Sequence, residues 1–249
     1  MSRESASAKE TSLSLKNSHR FSLAVELEGR ILTGRVKPGE HLREAVLAKE
    51  LDVSQASIRE ALQDLEGRGL VVKIPNRGTF VIEIDPTHLF QIYQVRRELE
   101  PLACSLLAGH LSGAVLETLN RHLEGMREAS GRKDYPAYLD ADLRFHRALW
   151  AAQPNRLLEK NLCITCLPLF AYDLIRHYDT RTRDFSRSIR QHGLILNAVQ
   201  TGDPALATRV ARRMIDRWYR ENLSDFSRYA ADPKARASDK CDSLEDAGG

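Results

Sequence analysis

The sequence predicts a mainly α protein in two parts: a small helical unit carrying one β-hairpin, and a larger all-α bundle. Three observations support this. Residues 41 to 82 hold two short helical patterns, then two β-rich runs separated by Pro75-Asn76-Arg77-Gly78. Residues 86 to 227 keep helical periodicity with no strand-like run. At 249 residues and 42% hydrophobic content, the chain is long enough for two domains. The expected organisation is a disordered tail over 1–18, a first domain over 19–84, a linker over 85–88, a bundle over 89–229 and a second disordered tail over 230–249.

In the first domain, the second helix is expected from Ser54 to about Arg68, with Ile58, Ala61, Leu62 and Leu65 on its buried stripe. Ser54 is a favourable N-cap and can set the helix N-terminus against a phosphate. The opposite face carries Gln55, Arg59 and Gln63, side chains of the type that reach base edges and phosphates from a major-groove helix. The hairpin is expected over Leu70–Ile74 and Thr79–Ile84, with a basic residue and a glycine at its tip. Together these parts predict a winged helix-turn-helix. Its candidate DNA contacts are Arg43, Ser54, Gln55, Ser57, Arg59, Lys73, Arg77 and Gly78. The charged members also fit an ordinary solvated surface. Residues 19 to 84 hold ten Lys/Arg and ten Asp/Glu, so DNA affinity must come from where charges sit and not from their sum.

Composition excludes other classes. The whole chain carries a formal charge of only +3. No apolar run approaches the roughly 18 residues of a membrane span, and the Ser/Lys-rich N-terminus lacks the apolar core of a signal peptide. Cysteines at 104, 163, 166 and 241 do not form a disulfide framework at this length. Cys163 and Cys166 make a lone C-x-x-C inside an apolar helical stretch, which reads as buried thiols. A cytoplasmic location is the expectation.

Six helices are expected in the second part, at roughly 86–110, 113–130, 135–152, 155–178, 182–201 and 203–227, with Pro168 kinking the fourth. Polar residues inside their apolar stripes are the useful signal. At about 100° per residue, with Leu139 at zero, Leu143 and Trp150 bracket one side of the third helix's buried arc; Asp142 falls near 300° and His146 near 340°, inside it. An Asp and a His one turn apart and facing a core are costly without partners. His192 is likewise centred among Ile189, Ile195, Leu196 and Val199, with Ser188 one turn earlier, and Arg96 edges the stripe of Ile92, Val95, Leu99 and Leu102.

Two stretches resemble a known family. Lys37-Pro38-Gly39, Leu47-Ala48, Val53-Ser54, Ile58-Arg59-Glu60-Ala61-Leu62, Gly69-Leu70-Val71 and Arg77-Gly78 resemble the N-terminal domain of GntR-type bacterial transcription regulators over about 23–84. Gln55 stands where that family commonly has Arg, Ala56 where it has Thr or Ser, and Asp52 where it has Gly. Arg reads guanine and Gln reads adenine, so an altered operator is implied. Arg96-x-x-Leu99-Glu100, Asp142-x-x-Phe145-His146, Asn155, Arg183, Ser188, His192 and Gly202-Asp203 resemble the FCD effector domain of FadR-like regulators, and six helices favour its VanR-type subgroup. In many such domains an Asp and three His hold a divalent metal, which binds a small carboxylate together with an Arg.

Carried over, the metal ligands are Asp142, His146 and His192, and the effector contacts are Arg96, Asp142, His146, Arg183, Ser188, His192 and Met214. Met214 stands where the third His is expected, and a thioether is a poor ligand for a hard ion. Three readings stay open: a three-ligand site for Zn, Ni or Mn, a metal-free effector site, or satisfied core polar residues. The resemblance implies a homodimer on palindromic operator DNA, released from it by a small organic acid. The rival class is a metal-dependent hydrolase or lyase built on Asp142, His146 and His192, although no H-E-x-x-H, P-loop, G-x-S-x-G or Rossmann fingerprint accompanies them.

Overall fold

A computed structural model of the chain describes residues 22–177 and 185–231, without the side chains of 171–177 and 225–231. The first domain opens with α1 (22–32), which buries Ala24, Leu27 and Ile31 at helical spacing. A short β1 (His41–Leu42) leads into α2 (Glu44–Glu50), which buries Leu47 and Ala48. The turn that follows holds Asp52 at φ 52, the left-handed conformation that a short polar side chain tolerates. The Ser54 hydroxyl accepts the Ser57 N–H at 3.1 Å and starts α3 (Gln55–Gly67). Ile58, Ala61, Leu62 and Leu65 of α3 are all buried, as their spacing predicts.

β2 (Val71–Ile74) and β3 (Gly78–Val81) form the wing, with Val71 opposite Val81 and Ile74 opposite Gly78. Asn76 at φ 61 and Gly78 at φ 104 make the tip, where the chain needs left-handed residues. The wing is shorter than expected at its far end. It also gains a third strand that the sequence did not disclose: β1 pairs with β3, so the sheet order is β1-β3-β2. Two residues are too few to show alternation, and the His41 ring stacks on Phe80 at 4.6 Å to hold them.

The bundle contains α4 (Pro86–Ala108), α5 (Gly113–Gly131), α6 (Tyr135–Ala152), α7 (Arg156–His177), α8 (Ser186–Gln200) and α9 (Pro204–Ala231). Asp85, Ser112 and Asp134 cap α4, α5 and α6 by accepting backbone N–H groups. α4 lies along α9, α5 pairs with α6, and α7 and α8 close the bundle around α4. α9 runs four residues beyond its expected end, into the stretch expected as a tail; 1–18 and 232–249 lie outside the described residues. Phe145, Leu149 and Trp150 of α6 and Leu119 and Met126 of α5 are fully buried at the bundle's centre. Cys104 and Cys166 are buried free thiols, and burial raises the pKa of both. No described helix is long and apolar enough to cross a membrane.

The two domains meet at Gly69 and at Glu28. Pro168 has no N–H to give the Ile164 carbonyl one turn earlier, and Gly69 at φ 74 packs against that carbonyl so closely that a Cβ would lie 2.8 Å from its oxygen. Glu28 of α1 is 5% exposed and receives hydrogen bonds from Arg68, beyond α3, and from Arg147 of α6.

Candidate functional site

α3 turns Gln55, Arg59 and Gln63 outward, all exposed. Arg59 does not stand free: its Nη2 lies 2.7 Å and its Nε 3.1 Å from the Glu44 carboxylate on α2. An exposed pair of this kind is worth about 0–1 kcal/mol and can be exchanged for a phosphate. Arg43, Lys73 and Arg77 are exposed, and Arg77 rests over the Phe80 ring at 5.8 Å. Ser54 and Ser57 share a 2.9 Å hydroxyl contact at the start of α3. The candidate contacts thus occupy the N-terminus of α3, its outer face, the start of α2 and the wing.

The second site is a cavity of about 650 Å³ among α4, α6, α7, α8 and α9. Arg96, Asp142, His146 and His192 form its floor, with Tyr138, Phe170 and Trp218 on its walls. Asp142 and His146 reach it because they lie one turn apart on α6, and α8 delivers His192 opposite them. His146 Nδ1 is 2.7 Å from Glu100 Oε1, and His192 Nδ1 is 2.8 Å from the Ser188 carbonyl oxygen. Both acceptors demand a proton on Nδ1, which leaves a lone pair on each Nε2. Those two nitrogens face each other at 3.0 Å. Asp142 Oδ1 completes the triangle, 2.8 Å from His192 Nε2 and 3.5 Å from His146 Nε2. Despite these contacts, the buried Oδ1 receives no hydrogen bond.

Three electron-rich atoms therefore converge on one another. Adding a proton to His192 Nε2 would make the 2.8 Å contact a hydrogen bond, but would put a full imidazolium in the core. A divalent ion about 2.0–2.2 Å from each atom satisfies all three without a buried proton, and the triangle's edges match such ligand separations. The residues present thus fit a three-ligand site with open positions.

The surroundings set the charges. Glu100 is 1% exposed and accepts from Arg96 Nε at 2.6 Å, from His146 and from Trp150 Nε1 at 3.0 Å. Burial alone would raise its pKa, but the Arg96 and His146 contacts hold it well below the usual carboxylate range. Burial keeps His146 below the ordinary histidine value against the pull of Glu100, so its neutral form is favoured. Burial likewise opposes ionisation of Asp142, but His192 beside it lowers its pKa. Arg96 spreads over the Trp218 ring at 4.9 Å and presents Nη2 3.4 Å from His146 Nε2.

Arg96, Asp142, His146, Ser188 and His192 thus come together at the cavity. Met214 does not: it is 3% exposed in the α9 core and is not among the lining residues, while Trp218, one turn later, forms that wall. The helical stripe placed Met214 inward correctly, but the cavity opens one turn further along α9. Arg183 lies outside the described residues. Sequence reading gave no role to Glu100, which orients His146 and Arg96; its place four residues after Arg96 on the same stripe was the available signal.

An outward-facing recognition helix and wing, joined to a helical bundle with its own polar cavity, define a ligand-responsive transcription regulator of the winged helix-turn-helix class. Residues 22–81 match the bacterial regulatory proteins of the gntR family, and residues 91–217 match the FCD domain. The chain belongs to the GntR family, in the branch that carries an FCD domain. It is 26% identical over 187 residues to the gluconate operon transcriptional repressor of Bacillus subtilis, covering 74% of this chain and 76% of that protein. It is 28% identical over 177 residues to a probable D-xylose utilization operon transcriptional repressor of Paenarthrobacter nicotinovorans, covering 71% and 76%. Among solved structures, McbR/YncC of E. coli superposes with a TM-score of 0.70 at 21% identity, covering 85% of this chain and 98% of that one. A putative GntR regulator of Rhodococcus sp. RHA1 gives 0.64 at 22% identity, covering 84% and 97%. The two curated relatives are named as transcriptional repressors, and the hydrolase or lyase reading finds no support among the comparisons.

Proposed function

We propose that this regulator is a homodimeric repressor whose FCD cavity takes up a divalent metal and a small organic acid, and that the bound acid releases it from a palindromic operator. The observation that carries the proposal is the triangle of Asp142 Oδ1, His146 Nε2 and His192 Nε2, with its unsatisfied carboxylate oxygen. Charge favours metal and acid together. Glu100 neutralises Arg96, so Asp142 leaves the floor of the cavity negative, and an organic anion would be repelled there by an ion-free floor. When bound, a divalent ion supplies the positive charge and open coordination positions that attract a carboxylate. Arg96 orients that carboxylate from the side, and Glu100 and the Ser188 carbonyl fix the two imidazoles.

Each winged domain reads one half-site through α3, with Gln55 and Arg59 toward the bases and phosphates and Arg43, Lys73 and Arg77 toward the backbone. An effector alters DNA binding only if it favours one arrangement of these domains over another. α6 and α7 are placed to transmit that preference. α6 carries His146 in the cavity and Arg147, its neighbour, on Glu28 of the winged domain; α7 carries Phe170 in the cavity and Ile164 against Gly69. The dimer reading draws support from α4, where Val95 and Leu102 are each 46% exposed and Leu99 and Leu106 complete a four-three-four apolar stripe.

Elemental analysis of the purified protein, with a thermal-shift screen of small carboxylates before and after chelation, tests the proposal. It predicts bound divalent metal and an acid-induced rise in melting temperature that chelation removes. Acid binding that is indifferent to chelation, in protein devoid of metal, refutes the metal half.

A further inference from the structure

The mouth of the cavity is charged in the opposite sense to its floor. Arg187, Arg217 and Arg220 line it, and among the described residues Glu221 is the carboxylate that stands with them at the rim. Glu221 is already engaged, 3.4 Å from both Arg187 and Gln191. Asp216, the other acid beside these arginines on α9, is committed to Arg97 at 2.6 Å. Arg220 uses only its Nε, on the Asp216 carbonyl at 3.0 Å, so its Nη groups are left to point elsewhere. Arg217 makes no hydrogen bond or ion pair to any described residue, although it is half-buried at the cavity wall. Two guanidinium groups three residues apart on one helix edge repel each other, and no acid among the described residues relieves them.

We propose that the effector carries a second anionic group, a carboxylate or a phosphate, which Arg217 and Arg220 bind at the mouth while the first occupies the floor. The inference rests on the cavity being the effector site. Arginine suits the task because its planar fork meets both kinds of oxyanion with paired hydrogen bonds. Arg187 adds long-range attraction while remaining with Glu221. A volume of about 650 Å³ exceeds the needs of a two- or three-carbon acid and leaves room for a molecule that spans floor and mouth. The aromatic walls between the two ends suit a carbon chain or a sugar skeleton.

The test uses matched acids that differ only at the far end: butyrate and succinate, glycerate and 3-phosphoglycerate, and gluconate, glucarate and 6-phosphogluconate. Binding to the full chain, with zinc present, is read from tryptophan fluorescence, because Trp218 lies in the cavity wall. In at least one set the dianion binds about tenfold or more tighter than its monoanion, as an added charge-assisted contact predicts. The sets separate the two sources: a preference confined to 3-phosphoglycerate and 6-phosphogluconate assigns a phosphate, and one confined to succinate and glucarate a carboxylate. The Arg217→Gln/Arg220→Gln variant reduces that preference to within about twofold, because the doubly charged acid loses far more affinity than the monoanion. Its melting temperature without ligand serves as the folding control, and single variants replace the double one if it fails. Raising salt must also narrow the preference, because the rim contact faces solvent. Equal binding of monoanions and dianions, or a preference that survives both substitutions, overturns the second site alone. No binding of any acid overturns the effector reading beneath it.

Discussion

Glu100 holds the cavity's machinery in place, and its replacement by Gln gives a sharp outcome. The side chain keeps its shape and loses its charge. One oxygen can still accept from His146 and Trp150, now at 2.7 and 3.0 Å. The other becomes an NH₂ facing Arg96 Nε, which sits 2.6 Å away and is itself a donor. Arg96 is 4% exposed, so its guanidinium is left buried beside a donor and with no carboxylate against it. Breaking a buried ion pair from one side costs about 3–5 kcal/mol. The Trp218 ring lies over the guanidinium before and after the substitution and offsets none of this, so the expected loss for Glu100→Gln is about 3–5 kcal/mol. Both tryptophans of the chain, Trp150 and Trp218, belong to the bundle, so equilibrium urea unfolding followed by their fluorescence measures this domain directly. Metal affinity should also fall about 10–100-fold, because Glu100 fixes the His146 tautomer. A stability change under about 1 kcal/mol would refute the argument that Glu100 compensates a buried Arg96.

Other outcomes follow from the same geometry. Gly69→Ala forces a residue with a side chain into φ 74 and sets its Cβ 2.8 Å from the Ile164 carbonyl; it should destabilise the chain by roughly 1–3 kcal/mol, and an unchanged melting temperature would show that the domains do not dock there. Gln55→Arg should shift base preference at one operator position, from adenine toward guanine, without affecting stability; a selection from random DNA reads this, and an identical consensus would show that residue 55 touches no base. In chelated protein, the folded pKa of Glu100 lies below its ordinary 4.5, so the unfolded chain binds the proton first as pH falls. Glu100's contribution is therefore fully present above about pH 4.5 and drains away on acidification, visible as a falling urea midpoint; a midpoint constant from pH 5 to pH 3 would contradict it.

The sequence disclosed helices, caps and stripes well, because periodicity and local hydrogen-bonding chemistry decide them. Ser54, Asp52 and the Ile58-Ala61-Leu62-Leu65 stripe behave as their residue types dictate. Asp142, His146 and His192 were legible for a related reason: polar side chains inside an apolar arc are conspicuous at 100° per residue. What stayed hidden depends on distance in space. The pairing of His41–Leu42 with β3 joins segments nearly forty residues apart and leaves no alternating pattern in two residues. Glu100 looks like one more helical acid until α6 brings His146 and Trp150 against it. Met214 had the right face but the wrong turn, since where a cavity opens along a helix is set by how α9 packs on α4. The rim arginines carried no signal in the sequence, because nothing in a one-dimensional pattern shows which surface residues border a hollow.

The most direct test of the whole account is fluorescence anisotropy of a labelled fragment from the region upstream of the coding sequence, titrated with metal-loaded protein at moderate salt. The account predicts specific binding over random duplex, weakened at least about tenfold when an acid found by the thermal-shift screen is added, with that release abolished by chelation and by His192→Ala. Absence of specific binding, or release that persists undiminished in the chelated protein and the His192→Ala variant, would contradict it.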